Sequence, residues 1–295
     1  MARRHPAPMR QAATAVNPII FIPARLGSTR LPGKALALIS GKPMIAHVLA
    51  RGMEAGLGPV VVATDAREIA EAVEAAGGQA VMTAGAHACG LDRIGEALGR
   101  IDPARKYDVV VDLQGDQPFL PSGAIAAAAA LLRDRRVDMA TLATLALPGE
   151  EDDPDVVKMV GSQISPNRLR ALYFTRARAP FGEGPYYHHL GVYVFRRAAF
   201  ERFVGLPVSP LEKRERLEQL RALEDGMRID AALLDKAGPS VDTERDLDAA
   251  RRVARVLVAK VDADFASEST TKSRNLGSFR FNLNRKDSSE CEGDA

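Results

Sequence analysis

Short apolar runs alternating with amphipathic helical segments constrain this chain more than any other feature. Ile19-Ile20-Phe21-Ile22 contains no polar residue and is closed by Pro23, the pattern of a strand buried on both faces. Met44, Ile45, Val48, Leu49 and Met53 then recur at helical spacing behind Pro43, a residue favoured where helices begin. Val60 to Ala63 reads as the next strand, and Ile69, Val73 and Ala76 mark a helix ended by Gly77-Gly78. Val109-Val110-Val111 is a further strand, followed by an Ala-rich helix from about Ser122 to Leu132. This order predicts an α/β fold with a mostly parallel, Rossmann-like sheet covered by helices on both faces. Such sheets bind ligands at the carboxyl ends of their strands.

After about Pro148 the rhythm changes. Val156 to Val160 and Arg168 to Phe174 read as strands joined by the polar turn Ser165-Pro166-Asn167, an antiparallel hairpin. Tyr186 to Phe195 is another strand, Leu211 to Glu224 has charged helical character, Ile229 to Leu234 is a late strand, and a last helix spans Glu244 to about Lys260. The expected organisation is one domain over 17–260, with a smaller mixed α/β lobe at roughly 150–225 and no linker-like stretch between.

Charge narrows the function classes. Lys and Arg number 40 against 38 Asp and Glu, a net +2, too balanced for a protein whose task is to hold a nucleic-acid backbone. Charges interrupt every apolar run well before the roughly 18 residues a membrane span needs. Residues 1–16 carry Arg3, Arg4 and Arg10 with no acid and no apolar signal core, and read as a disordered leader. Residues 261–295, with five basic and seven acidic side chains and no period, read as a disordered tail. Cys89 and Cys291 make no disulfide framework and point to a reducing cytoplasm.

The first strand opens into Pro23-Ala24-Arg25-Leu26-Gly27-Ser28-Thr29-Arg30-Leu31-Pro32-Gly33-Lys34. Three cations, two glycines and two hydroxyls within a dozen residues of a strand's carboxyl end suit a polyphosphate, gripped by backbone N–H groups and by Arg and Lys. The segment is neither a Walker loop nor the GxGxxG turn, which occurs nowhere in the chain. A Ser/His/Asp hydrolase would need a Gly-x-Ser-x-Gly elbow, and His87-x-Cys89 is too isolated for a zinc site. Asp116 and Asp242 each follow a predicted strand; as bare sequence, Asp116 also suits a turn and Asp242 a helix N-cap.

The loop Pro-Ala-Arg-x-x-Ser-Thr-Arg-Leu-Pro-Gly-Lys resembles the opening of the 3-deoxy-D-manno-octulosonate (Kdo) cytidylyltransferases. Gly41-Lys42-Pro43-Met44-Ile45, Val62-Ala63-Thr64-Asp65, Gln114-Gly115-Asp116-Gln117-Pro118, Ala171-Leu172-Tyr173-Phe174-Thr175-Arg176, His189-Leu190-Gly191-Val192-Tyr193, Ser209-Pro210-Leu211-Glu212, Leu217-Glu218-Gln219-Leu220-Arg221 and Val241-Asp242-Thr243 follow in that family's order, from about Pro18 to Lys260. The resemblance implies a nucleotidyltransferase joining CTP and Kdo to give CMP-Kdo and pyrophosphate for lipopolysaccharide synthesis. It implies a homodimer, and the hairpin and apolar strands of the second lobe, where the sugar would bind, suggest the dimer surface. By the same resemblance Mg²⁺ sits on Asp116 and Asp242. Pro23, Ala24, Arg25, Ser28, Arg30, Lys34, Gly90, Asp92, Arg93 and Gln114 meet the nucleotide. Arg176 meets the sugar carboxylate, and Gln114, His189, Tyr193, Glu218 and Gln219 line the sugar pocket. Arg25 and Lys34, with the two aspartates, are the expected catalytic set.

Two departures stand out. Where the family usually carries His-x-Ser/Thr-Gly-Thr/Ser-Asp/Glu-Arg, this chain reads His87-Ala88-Cys89-Gly90-Leu91-Asp92-Arg93, so two hydroxyls become Cys and Leu. A hydrogen bond lost at the base edge would weaken pyrimidine selection by roughly 0.5 to 1.5 kcal/mol. Gln117 also stands where Glu is common. Two alternatives therefore remain beside Kdo transfer: a cytidylyltransferase for another acidic sugar of the amino-Kdo or sialic acid type, and a catalytically weakened nucleotide-binding regulatory module.

Overall fold

Side chains of β1 (Pro18–Ala24) alternate between two apolar layers, Ile20, Ile22 and Ala24 in one and Ile19 and Phe21 in the other, which is why its sequence reads as a continuous apolar run. A computed structural model of the chain describes residues 16–28, 30–87 and 89–257. The expected tail, the leader apart from Val16 and the end of the expected last helix lie outside the described residues. β1 continues through Pro23, pairing in parallel with β4 (Val60–Thr64) as far as Ala24. Its other neighbour pairs only as far as Phe21, so the N–H that Pro23 lacks is not needed on that side.

Along the chain a short 3₁₀ turn (Lys34–Leu36) and the small hairpin of β2 (Leu38–Ile39) and β3 (Lys42–Pro43) lead into α1 (Met44–Glu54). Then come β4 (Val60–Thr64), α2 (Arg67–Ala75), β5 (Gln79–Met82), α3 (Gly90–Ile101), β6 (Val109–Leu113) and α4 (Ala124–Leu131). The second half adds β7 (Met139–Leu145), β8 (Lys158–Ser165), β9 (Arg168–Thr175), β10 (Tyr187–Arg196), α5 (Arg197–Val204), α6 (Pro210–Glu215), α7 (Gln219–Glu224) and β11 (Ile229–Leu234). A last helix, α8, occupies 244–257. Helices α1, α2 and α4 pack on one face of the sheet; α3, α5 and α7 pack on the other.

The expectation of a mostly parallel sheet needs correction, because the strand directions are mixed. Nine strands form one sheet in the order β5-β4-β1-β6-β10-β7-β11-β9-β8. The first four run parallel, but β10 enters antiparallel between β6 and β7, and β9 and β8 extend the edge antiparallel; only β11 with β7 restores a parallel pair. Apolar runs in the sequence identify strands, whereas direction and neighbour are set by where each chain segment returns to the sheet.

The predicted helix over Leu211–Glu224 is two helices. Arg216 sits in the left-handed region at φ 58°, ending α6 before α7 begins. A third apolar cluster of Leu31, Ile39, Met44, Val241, Leu247, Ala250 and Ala254 seats α8 against the loop that follows β1. That packing places Asp242 beside the basic loop.

Candidate active site

The loop after β1 is folded by its own backbone. Ser28 N–H and Gly33 N–H both donate to Leu26 O, and Gly33 adopts a left-handed φ of 68° that favours glycine. Lys34 is thereby aimed at the carboxyl end of β6, where Asp116 follows the Gln114-Gly115 turn. Asp242 arrives from the far side, because Val241 N–H donates to Asp116 O at 3.0 Å. Gly238 lets that returning segment pass: a Cβ there would meet Phe119 Cβ at 2.4 Å and Phe119 O at 2.5 Å.

Asp242 does not cap the helix that follows it. Thr243 Oγ1 accepts from Asp246 N–H, while Asp246 Oδ2 accepts from the N–H groups of Thr243 and Asp242, a reciprocal cap. The Asp242 carboxylate is left for the cavity. Lys34 Nζ lies 2.9 Å from Asp242 Oδ1 and 3.1 Å from Asp116 Oδ2, and Arg30 Nη2 reaches Asp242 Oδ2 at 2.9 Å. Burial opposes the Lys34 charge, but Asp116 and Asp242 outweigh it and hold its pKa above the ordinary lysine value. Burial likewise opposes the Asp242 charge, and Lys34 and Arg30 outweigh it, so this carboxyl titrates below the usual range.

Two cavities meet at this cluster. The smaller, about 260 Å³, is bounded by Pro23, Ala24, Arg25, Ser28, Arg30 and Lys34 together with His87, Cys89, Gly90, Arg93, Gln114, Asp116 and Asp242. The larger, about 650 Å³, is bounded by His189, Tyr193, Glu218 and Gln219 among others. Arg25, Cys89, Gln114, Asp116 and Asp242 line both. A group in one cavity therefore faces a group in the other across the two aspartates.

The larger cavity's wall is polar and ordered. Tyr193 Oη donates to Gln219 Oε1 at 3.0 Å. Thr141 Oγ1 donates to Val192 O at 2.7 Å, so the 2.9 Å contact with His189 Nε2 requires that nitrogen to carry the proton. Burial, then the neighbouring His188, lowers the His189 pKa to about 3, and its imidazole is neutral near pH 7. His188 also borders this cavity and pairs with Glu150. Burial raises the Glu218 pKa. Burial, then Glu218, pushes the Cys89 thiol far up, so Cys89 is protonated and unsuited to nucleophilic attack.

Three expected site residues are held by partners within the protein. Arg176 lines neither cavity: its Nε donates to Glu215 O at 3.2 Å and its Nη1 to Pro154 O at 2.9 Å. Asp92 faces Arg221 from the first turn of α3 and lines neither cavity. Arg93 borders the smaller cavity, but its guanidinium is engaged by Thr83 Oγ1, Ala84 O and Asp65, tying α3 to the ends of β4 and β5. Sequence reasoning also missed Asp155, Lys213 and Arg216 on the larger cavity's wall, since nothing in their local pattern separates them from ordinary surface charge. Asp112, fully buried beneath Gln114, was hidden in an apolar strand. Among the described residues no helix is long and apolar enough to cross a membrane.

The fold and this two-cavity site are those of a nucleotidyltransferase, and the cytidylyltransferase family profile matches residues 19–229. A 3-deoxy-manno-octulosonate cytidylyltransferase of Methylobacterium nodulans is 60% identical over 238 residues, covering 80% of this chain and 96% of that protein. Its counterpart in Mesorhizobium japonicum is 58% identical, covering 81% and 99%. Among solved structures, a CMP:2-keto-3-deoxy-manno-octonic acid synthetase complexed with CTP superposes with a TM-score of 0.74 at 36% identity, covering 82% of this chain and 99% of that one. The chain belongs to the 3-deoxy-manno-octulosonate cytidylyltransferase family.

Proposed function

We propose that the chain transfers CMP from CTP to the anomeric hydroxyl of Kdo, releasing pyrophosphate. The observation that carries this reading is the seam: Asp116 and Asp242 line both cavities, and Lys34, on the wall of the smaller one, is held between them. Family membership supplies the substrates. CTP occupies the smaller cavity, its triphosphate against Arg25, Arg30, Lys34 and the Ser28 turn. Kdo occupies the larger, its hydroxyls facing Gln114, His189, Tyr193, Glu218 and Gln219. With Nε2 protonated, His189 offers an acceptor at Nδ1.

Mg²⁺ fits the donor set. Two carboxylates beside a polyphosphate site are what a hard cation that keeps several waters requires. Asp116 and Asp242 would hold it. When bound, it supplies positive charge that neutralises the triphosphate and lowers the pKa of the attacking hydroxyl. Lys34, released from the aspartates, turns to the phosphates and stabilises the charge that develops on the leaving pyrophosphate. Gln114, on both walls, aligns the hydroxyl with the α-phosphorus.

The reading includes a homodimer in the cytoplasm. The half-exposed Ile164 and Leu172 on the β8–β9 edge are apolar surface that a second copy would cover. Pyrophosphate release from CTP, Mg²⁺ and Kdo tests the activity, and sedimentation of the full chain tests the dimer. Release with another sugar acid but none with Kdo would reject the substrate while keeping the class.

A further inference from the structure

Gln114 lines both cavities, and its carboxamide is held from several sides. Asp112, further back on β6, accepts from Nε2 at 2.7 Å, and Glu218 Oε1 lies 3.5 Å from the same nitrogen. Glycines leave the room: a Cβ on Gly90 would come within 3.4 Å of Nε2, and one on Gly191 within 3.3 Å of Gln114 Cγ. The two ends of a carboxamide are alike in size but opposite in hydrogen bonding. Packing can therefore fix the plane of the group, while only a hydrogen-bond partner decides which end faces the substrates.

Asp112 is that partner, and it has no other evident use. It lines neither cavity. Its side chain is wholly buried in a strand otherwise made of Val109, Val110, Val111 and Leu113, opposite Phe21 of β1 and Tyr193 of β10. Among the described residues its side chain bonds only to Gln114, and its Oδ1 has no partner. A carboxyl buried in this way opposes folding, and an apolar side chain would fill the strand better.

We propose that Asp112 is a positioning residue: by accepting from Gln114 Nε2 it turns Oε1 toward the seam, where that oxygen accepts from the attacking hydroxyl of the sugar. The inference rests on the function proposed above. An amide oxygen is too weak a base to take the hydroxyl proton, so its contribution is orientation: the hydrogen bond leaves an oxygen lone pair directed at the α-phosphorus.

The test compares Asp112→Leu, which removes the acceptor, with Asp112→Asn, which keeps one, in pyrophosphate release by the full chain with CTP, Mg²⁺ and Kdo. Asp112→Leu should lower kcat about tenfold to a hundredfold, the scale of a misaligned reacting group, with KM for CTP held within about twofold. Asp112→Asn should recover most of that loss. In a Gln114→Ala background, adding Asp112→Leu should lower kcat no further, whereas a merely structural effect would persist. Substrate-free ¹⁵N NMR of the full chain reads the orientation separately. The Gln114 side-chain NH₂ signal, identified by its absence in Gln114→Ala, should hold a slowly exchanging proton in wild type and Asp112→Asn and lose it in Asp112→Leu. Wild-type kcat in Asp112→Leu, a further loss in the Gln114→Ala background, or an amide signal indifferent to Asp112 would overturn the proposal. A wild type silent with Kdo but showing the expected amide pattern would reject the proposed function, and the role for the sugar hydroxyl with it, while keeping the coupling of Asp112 to Gln114.

Discussion

The carboxamide of Gln114 donates from Nε2 to Asp112 Oδ2 across 2.7 Å, beneath the wall common to both cavities. Its second acidic neighbour is Glu218 Oε1 at 3.5 Å, so the amide nitrogen points into an acidic pair and Oε1 is the atom left for substrate. Asp112 is fully buried, and its Oδ1 has no partner. Burial first, then Glu218, raises its pKa well above the ordinary carboxyl value.

A pH dependence of stability follows from that shift. The unfolded carboxyl loses its proton near about pH 3.9 while the folded one keeps it to higher pH, so in between the folded state binds more protons. Stability from this group is full below the unfolded pKa and is lost as pH rises through the folded value. Asp112→Asn retains an acceptor for Gln114 and cannot ionise. Its thermal midpoint should rise relative to wild type as pH increases from 4 to 9. Parallel midpoint curves for the two proteins would refute the buried neutral acid.

His189 predicts the opposite slope. Its pKa falls from 6.5 to about 3 on folding, through burial and then His188. The unfolded state therefore binds more protons between those values, and stability present above pH 6.5 is lost as pH falls toward 3. His189→Gln should flatten the acid limb of a denaturation series measured by circular dichroism. An unchanged limb would mean that the imidazole charges readily in the folded chain.

Much of this was readable in residue order, and the exceptions share a cause. The run around Phe21, the helix behind Pro43 and the bounds of β11 are local patterns, and the structure agrees with them. The basic loop and Asp116 were legible because strand ends in α/β sheets gather ligands. The antiparallel entry of β10 was not, since period two marks a strand without giving its direction. The surroundings of Arg176 were not legible either, because a motif fixes a residue's identity, whereas its hydrogen bonds to Glu215 and Pro154 come from segments distant in sequence. Asp242 reads equally well as a cap until Thr243 is seen to take that role with Asp246.

Lys34 bridging two aspartates predicts a kinetic effect with little structural cost. Its ammonium is largely shielded from solvent and touches Asp116 and Asp242, but the fold is held by the apolar cluster around Leu31 and Val241. Lys34→Met should lower kcat by about a hundredfold or more, in line with removal of one preorganised donor to developing charge. Its far-ultraviolet circular dichroism should match wild type. Wild-type turnover would remove the lysine from the chemistry.

Arg221 tests which part of the Leu217-Glu218-Gln219-Leu220-Arg221 segment is architectural. Its guanidinium is almost fully buried, donates to Glu212 Oε1 at 2.6 Å and Oε2 at 2.8 Å, and lies over the Phe203 ring at 4.7 Å from the centroid. Glu212 is also fixed by Ser209, whose N–H donates to it and whose hydroxyl accepts from the Glu212 N–H, completing a capping box on α6. Glu212→Ala would leave Arg221 buried with its main anionic partner gone, a loss of about 3 to 5 kcal/mol. Urea denaturation should show that loss as an earlier midpoint. Replacing both partners by apolar residues, as in Glu212→Leu with Arg221→Met, should recover much of it, because no unpaired charge is then buried. If the double variant is as unstable as Glu212→Ala, the penalty lies in the lost cap rather than in the stranded guanidinium.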